Sequence, residues 1–217
     1  MGEFDAFLVL LIGQYKTILS VIGVMCGIAG YYFYFRNIFF REGNKPCIFT
    51  WIPVAIIVCF GVYIQWKGGA SLIEVSPTIL TATFCVTLSI LSLFNEIRRS
   101  EWVDWVCFIV ALIAIVWWRI SDSLVMPAII VSAADVISFY PTLKRGWKNP
   151  FKETTLMWSL SFLKFVFAIL ALKTLSVATL FFPATIMIVN GSFVVVILAR
   201  RKHLSRENGL TKISCSS

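Results

Sequence analysis

Hydrophobic residues in this chain come in long blocks that alternate with short polar links. Seven blocks stand out, at 17–39, 47–66, 76–94, 102–118, 123–140, 155–172 and 176–199. A helix that crosses a bilayer needs ~20 apolar residues, and each block is close to that length. Backbone in hydrocarbon must satisfy its own hydrogen bonds, which leaves helices or closed barrels. Barrel strands alternate apolar and polar positions over ~10 residues, whereas these blocks are longer and continuously apolar. The pattern predicts an all-α integral membrane protein with seven transmembrane helices. The run from Phe7 to Ile12 is too short to cross; it either lies at the interface or extends the first helix.

Composition agrees. Of 217 residues, 59% are hydrophobic and 14% charged, against about 25% charged in a globular domain. The longest polar segment is the tail 200–217, too small for a core of its own, so one membrane domain is expected. Glu3 and Asp5 precede the first apolar run where a cleaved leader would carry basic residues, so no signal peptide is expected.

Charge fixes an orientation. The odd-numbered links hold Lys16, Lys67, Arg119 and Lys173. The even-numbered links and the tail hold fourteen of the nineteen lysines and arginines, and Lys164 lies inside a block. Cytoplasmic loops carry the excess of Lys and Arg. The expected topology is a multi-pass cell-membrane protein, N-terminus outside and C-terminus cytoplasmic. The net charge of +8 follows from this bias, so nucleic acid is not an expected partner. The tail reads as disordered or as lying on anionic lipid.

Two basic links share a pattern. Phe35, Arg41, Pro46 and Thr50 superimpose on Phe139, Arg145, Pro150 and Thr154 under a shift of 104 residues. With topology this suggests two parallel three-helix bundles, 17–94 and 123–199, joined by a linker helix at 102–118. Parallel repeats of this kind are a transporter plan. The arrangement resembles the superfamily of sugar-efflux transporters called SWEETs and their PQ-loop relatives, including uncharacterised bacterial members. Those relatives carry a Pro-Gln pair near the cytoplasmic end of the first helix of each triplet. Here the second triplet has Pro141-Thr142 and the first has Asn37-Ile38. The resemblance implies a substrate path between the triplets near the midplane, with Pro141 as a hinge, at which the fifth helix bends or stops.

Several residues are candidates for the chemistry. Charge at bilayer depth is costly and points to function by default. At 1.5 Å per residue, Lys164 lies about 14 Å and Asp135 about 8 Å from the cytoplasmic face. The two are either a structural ion pair or a solute- or proton-binding pair; alternatively Lys164 snorkels. Asn190 lies mid-way along the last helix, where the resemblance places a substrate-binding asparagine. Asn190-Gly191 equally fits a helix-packing site. Thr83 is among the hydroxyls of the third helix that face either a solute or their own backbone. Trp158 and Trp51 begin helices near the cytoplasmic side and read as interfacial anchors, with Trp158 also a substrate-site candidate.

Six cysteines without paired spacing read as small apolar residues. A lone histidine, His203, offers no metal site, and no glycine-rich phosphate loop appears. No cofactor or metal is expected. No nucleophile–base pair is visible, so the chain is not expected to be an enzyme. The leading expectation is a facilitator or proton-coupled carrier of a small polar solute, its oligomeric state left open. The alternative is a seven-helix receptor, sensor or structural membrane protein. A retinal receptor would need its lysine in the last helix, where none stands.

Overall fold

The computed structural model describes residues 3–40, 48–94, 102–120 and 123–214. Arg41, Lys45, Pro46, Cys47, Arg98, Arg99 and Cys215 lie outside the described residues, and for Thr50 and Pro141 only the backbone is described. Among the described residues there are helices and no strands. They are α1 Glu3–Phe40, α2 Ile48–Lys67, α3 Leu72–Leu93, α4 Trp102–Ile120, α5 Val125–Ser138, α6 Tyr140–Lys148, α7 Thr155–Ala171 and α8 Val177–Ser214, with a 3-10 turn at Pro150–Lys152.

Four stretches are long and apolar enough to cross a membrane: Gln14–Phe40, Leu72–Leu93, Val125–Lys148 and Val177–Arg206. Two further apolar helices, Trp51–Lys67 and Thr155–Ala171, are shorter. These make six apolar helices, where the sequence predicts seven. At 1.5 Å per residue the shorter two rise about 26 Å, below a hydrocarbon core of ~30 Å. The linker helix α4 has 19 residues.

Local chemistry explains where the helices depart from the hydrophobic blocks. The run Phe7–Ile12 extends α1, which is continuous from Glu3. The start of α3 falls a turn before Pro77 because Ser71 and Glu74 form the ends of a capping box; the Ser71 amide donates to Glu74 Oε2 at 2.6 Å. The junction of α5 and α6 is at Phe139, with Pro141 in the first turn of α6. Proline has no N–H to continue the preceding ladder, but Phe139 keeps a helical conformation and its amide still bonds the Asp135 carbonyl, so the chain runs on from α5 into α6 in nearly the same helical path. The basic tail is not disordered over its described length: α8 runs on to Ser214. Its Arg, Lys, Glu and Leu are strong helix formers and no proline follows Pro183, and the helix continues through Asn208-Gly209.

Packing follows a simple rule. Within 1–93 the third helix, α3, touches both α1 and α2; within 125–214, α8 touches both α5 and α7. Between these triplets α1 packs on α7 and α2 on α5, while α3 meets α7 and α8 meets α2. Exchanging α1 with α5, α2 with α7 and α3 with α8 returns the same set of contacts. Aromatic rings repeat the exchange. Phe35 and Trp51 stand edge-on to Phe84 at 5.5 and 6.0 Å. Phe139 and Trp158 stand edge-on to Phe193 at 5.1 and 5.0 Å.

The α1–α7 contact is close because α1 presents Gly23, Gly27 and Gly30 to it. A Cβ on Gly23 would lie 3.0 Å from the Lys164 carbonyl oxygen, and one on Gly30 would lie 3.3 Å from that of Met157. Small residues at such spacing let helix backbones approach. Overpacking a site against rigid backbone costs about 1–3 kcal/mol. Gly23→Leu is expected to lose that much in a denaturant titration of the detergent-solubilised protein. Ile22→Ala, at the exposed neighbouring position, is expected to stay within about 0.5 kcal/mol of wild type.

Candidate functional site

The two triplets enclose a cavity of about 90 Å³. A water needs ~10–15 Å³ of such space, so several would fit. Tyr31 of α1, Trp51 of α2, and Thr81 and Cys85 of α3 form one wall. Asp135 and Phe139 at the α5 end, Trp158 and Ser161 of α7, and Asn190 of α8 form the other. Every helix except the linker and the short α6 thus contributes at least one of these groups, and Thr142 of α6 reaches the rim.

Lys164 sits behind the wall formed by Tyr31 and Thr81 and is fully buried. Its ammonium donates to the Tyr31 hydroxyl at 2.5 Å and to Thr81 Oγ1 at 2.7 Å. It also lies 4.6 Å from the centres of the Tyr31 and Phe165 rings, whose faces attract cations. Tyr31 is held in turn by a parallel stack on Phe84, centres 3.8 Å apart. Lys164 therefore neither snorkels to the surface nor pairs with Asp135. Its stem reaches across α7 toward α1 and α3, and neutral oxygens and ring faces meet the charge.

Asp135 lines the cavity and, among the described residues, its carboxylate has no hydrogen-bond or ion-pair partner. Asn190 is buried and its amide donates to Ser161 Oγ at 2.9 Å. It therefore both bridges two helices and faces the cavity. Trp158 is not an exposed interfacial anchor; its ring packs on Phe139 and Phe193, and its indole N–H is buried without a partner. Thr83 is exposed and its hydroxyl donates to the Ile79 carbonyl of its own helix at 3.0 Å. The threonine of α3 at the cavity is Thr81, two residues earlier, because a helix turns by about 200° over two residues.

A smaller void of about 20 Å³ continues toward the basic end and shares Trp51, Thr142 and Trp158 with the main cavity. Here Asn37 of α1 donates to Thr154 Oγ1 at 2.8 Å, linking the triplets. Arg145 donates from Nη2 to Thr142 Oγ1 at 3.3 Å, and its Nε is buried without a partner. The opposite end is tied as well. Lys16 donates to the Leu172 carbonyl at 2.6 Å, Ser20 to that of Ile73 at 2.5 Å, and the Lys173 amide to Glu74 Oε1. Among the described residues no three His, Cys, Asp or Glu side chains lie together as metal ligands.

Of the residues singled out in the sequence, Asp135, Asn190 and Trp158 share the cavity, Lys164 lies one layer behind it, and Thr83 lies away from it. Pro141 lies in the first turn of α6. Tyr31 and Ser161 were not singled out, Thr81 entered only as one of the third-helix hydroxyls, and Asn37 only as the residue at the Pro-Gln position. A signal existed for two of them: the shift of 104 residues places Tyr31 on Asp135 and Asn37 on Pro141.

No protein-family model, curated protein or solved structure matches the chain.

The Lys164–Tyr31 bond can be isolated. Losing the hydroxyl beneath a buried charge costs about 1–3 kcal/mol, so Tyr31→Phe should destabilise the protein by that much. In the Lys164→Met background the same change should cost less, leaving a coupling of about 0.5–3 kcal/mol in a double-mutant cycle. Additive losses would show that the bond contributes nothing.

Proposed function

We propose that the chain is a carrier, facilitated or proton-coupled, for a small polar solute across the cell membrane. Seven crossings, with α4 as the linker, put the basic end in the cytoplasm and the N-terminus outside. The cavity between the triplets is the solute site. Asp135, Asn190 and Trp158 face the solute, joined by Tyr31 and Thr81; Lys164 acts through Tyr31 and Thr81 rather than by direct contact. The 3+1+3 plan of the SWEET and PQ-loop proteins is the architecture this reading adopts, without sugar as its substrate.

One observation carries the proposal: a mainly apolar cavity, with Asp135, Asn190, Ser161 and Thr81 on its wall, lies at the seam of two helix triplets whose contacts interchange. A site at such a seam is served by rocking one bundle against the other. Pro141, which removes one backbone N–H beside the cavity and the smaller void, is the place where this reading has α5 and α6 bend.

Uptake into proteoliposomes or expressing cells tests the reading. Asp135→Asn and Lys164→Met should each lower initial uptake on the order of tenfold or more, equal to ~1.4 kcal/mol or more of lost stabilisation, with membrane insertion unchanged. Wild-type transport by both variants would remove these residues from the mechanism.

A further inference from the structure

We infer that the cavity takes a small organic ammonium ion, with Asp135 as its counter-charge. The inference rests on the carrier reading only in taking the cavity to be a solute site.

The argument is one of charge. Asp135 presents a carboxylate to the cavity with no partner among the described residues. Lys164, the nearby buried cation, is already satisfied by Tyr31 and Thr81 and does not reach it. Arg145 lines the smaller void and is not part of the cavity wall. A carboxylate in a low-dielectric site takes up a proton unless a cation meets it. A cationic solute would hold it ionised and pair with it, whereas an anionic solute would be repelled by that form.

The rest of the wall is suited to the same class of ligand. Tyr31, Trp51, Phe84, Phe139 and Trp158 all border the space. Ring faces attract ammonium groups, most strongly when water is excluded. Charged Lys164 opposes a second cation, so the carboxylate and the rings must outweigh it. Removing that charge should therefore tighten binding.

Ethanolammonium and ethylene glycol make a matched pair: similar in size, differing mainly in charge. Isothermal titration of the purified full chain should give saturable binding of ethanolammonium and none of ethylene glycol or glycolate. Asp135→Asn should weaken ethanolammonium binding on the order of tenfold or more, as expected for loss of one partner of a buried pair; Lys164→Met should strengthen it. A measurement on the wild-type protein guards against a variant that fails to insert. Ethanolammonium should slow alkylation of Cys85, which lines the cavity, and ethylene glycol should not. Equal binding of the neutral analogue, tighter binding of glycolate, unchanged affinity in Asp135→Asn, or no protection of Cys85 would overturn the inference. Counterflow separates the two proposals. Charge-selective, Asp135-dependent binding without counterflow upholds the ammonium site and removes the carrier reading. Counterflow of neutral solutes without ammonium binding does the reverse.

Discussion

The close approach of α1 to α7 is the constraint on which the rest of the structure depends. In lipid, helices gain little from hiding apolar surface from one another, so association relies on tight packing and interhelical hydrogen bonds. Gly23, Gly27 and Gly30 provide the first by letting α1 settle against the α7 backbone. Lys164 provides the second, reaching from α7 past Gly27 to Tyr31 and Thr81. The same contact sets the width of the seam. Were α1 held further out, Tyr31 could not cover Lys164, and the cavity wall on that side would be lost.

The two triplets share a scaffold without sharing chemistry. Their contacts and their aromatic trios interchange, yet equivalent positions carry different groups. Tyr31 faces the cavity as a phenol bound to an ammonium, while its counterpart Asp135 faces it as a lone carboxylate. Asn37 fastens the seam through Thr154, while its counterpart Pro141 stands in the first turn of α6. A pseudo-symmetric frame of this kind can move as two similar halves while presenting an asymmetric surface to a solute.

Much of the fold was legible because hydrophobic length and charge placement are strong signals. The helical class and most helix positions follow from them. The start of α3 was less legible, since Ser71 and Glu74 act through a local bond rather than through hydropathy. The helix through the tail was less legible, because its polarity reads equally as disorder or as a surface lying on anionic lipid. Within the site, Asp135 and Lys164 stood out as charges in apolar blocks, and Asn190 and Trp158 by position. Their grouping was not legible. Direction around a helix separates Thr81 from Thr83, and only packing shows that Lys164 turns toward α1 rather than toward Asp135. The glycine spacing on α1 was visible in the sequence but gives no partner until α7 is seen against it.

The central claim, a hydrated space between the triplets, is tested most directly by solvent access along α7. Ser161 borders the cavity, and Leu163, two residues on, is exposed on the outer surface of the bundle. In a cysteine-free background reconstituted in liposomes, a membrane-impermeant thiol reagent should label Ser161→Cys and leave Leu163→Cys, facing lipid, unlabelled. No labelling of Ser161→Cys from either side of the membrane would mean a dry seam, and would contradict the account.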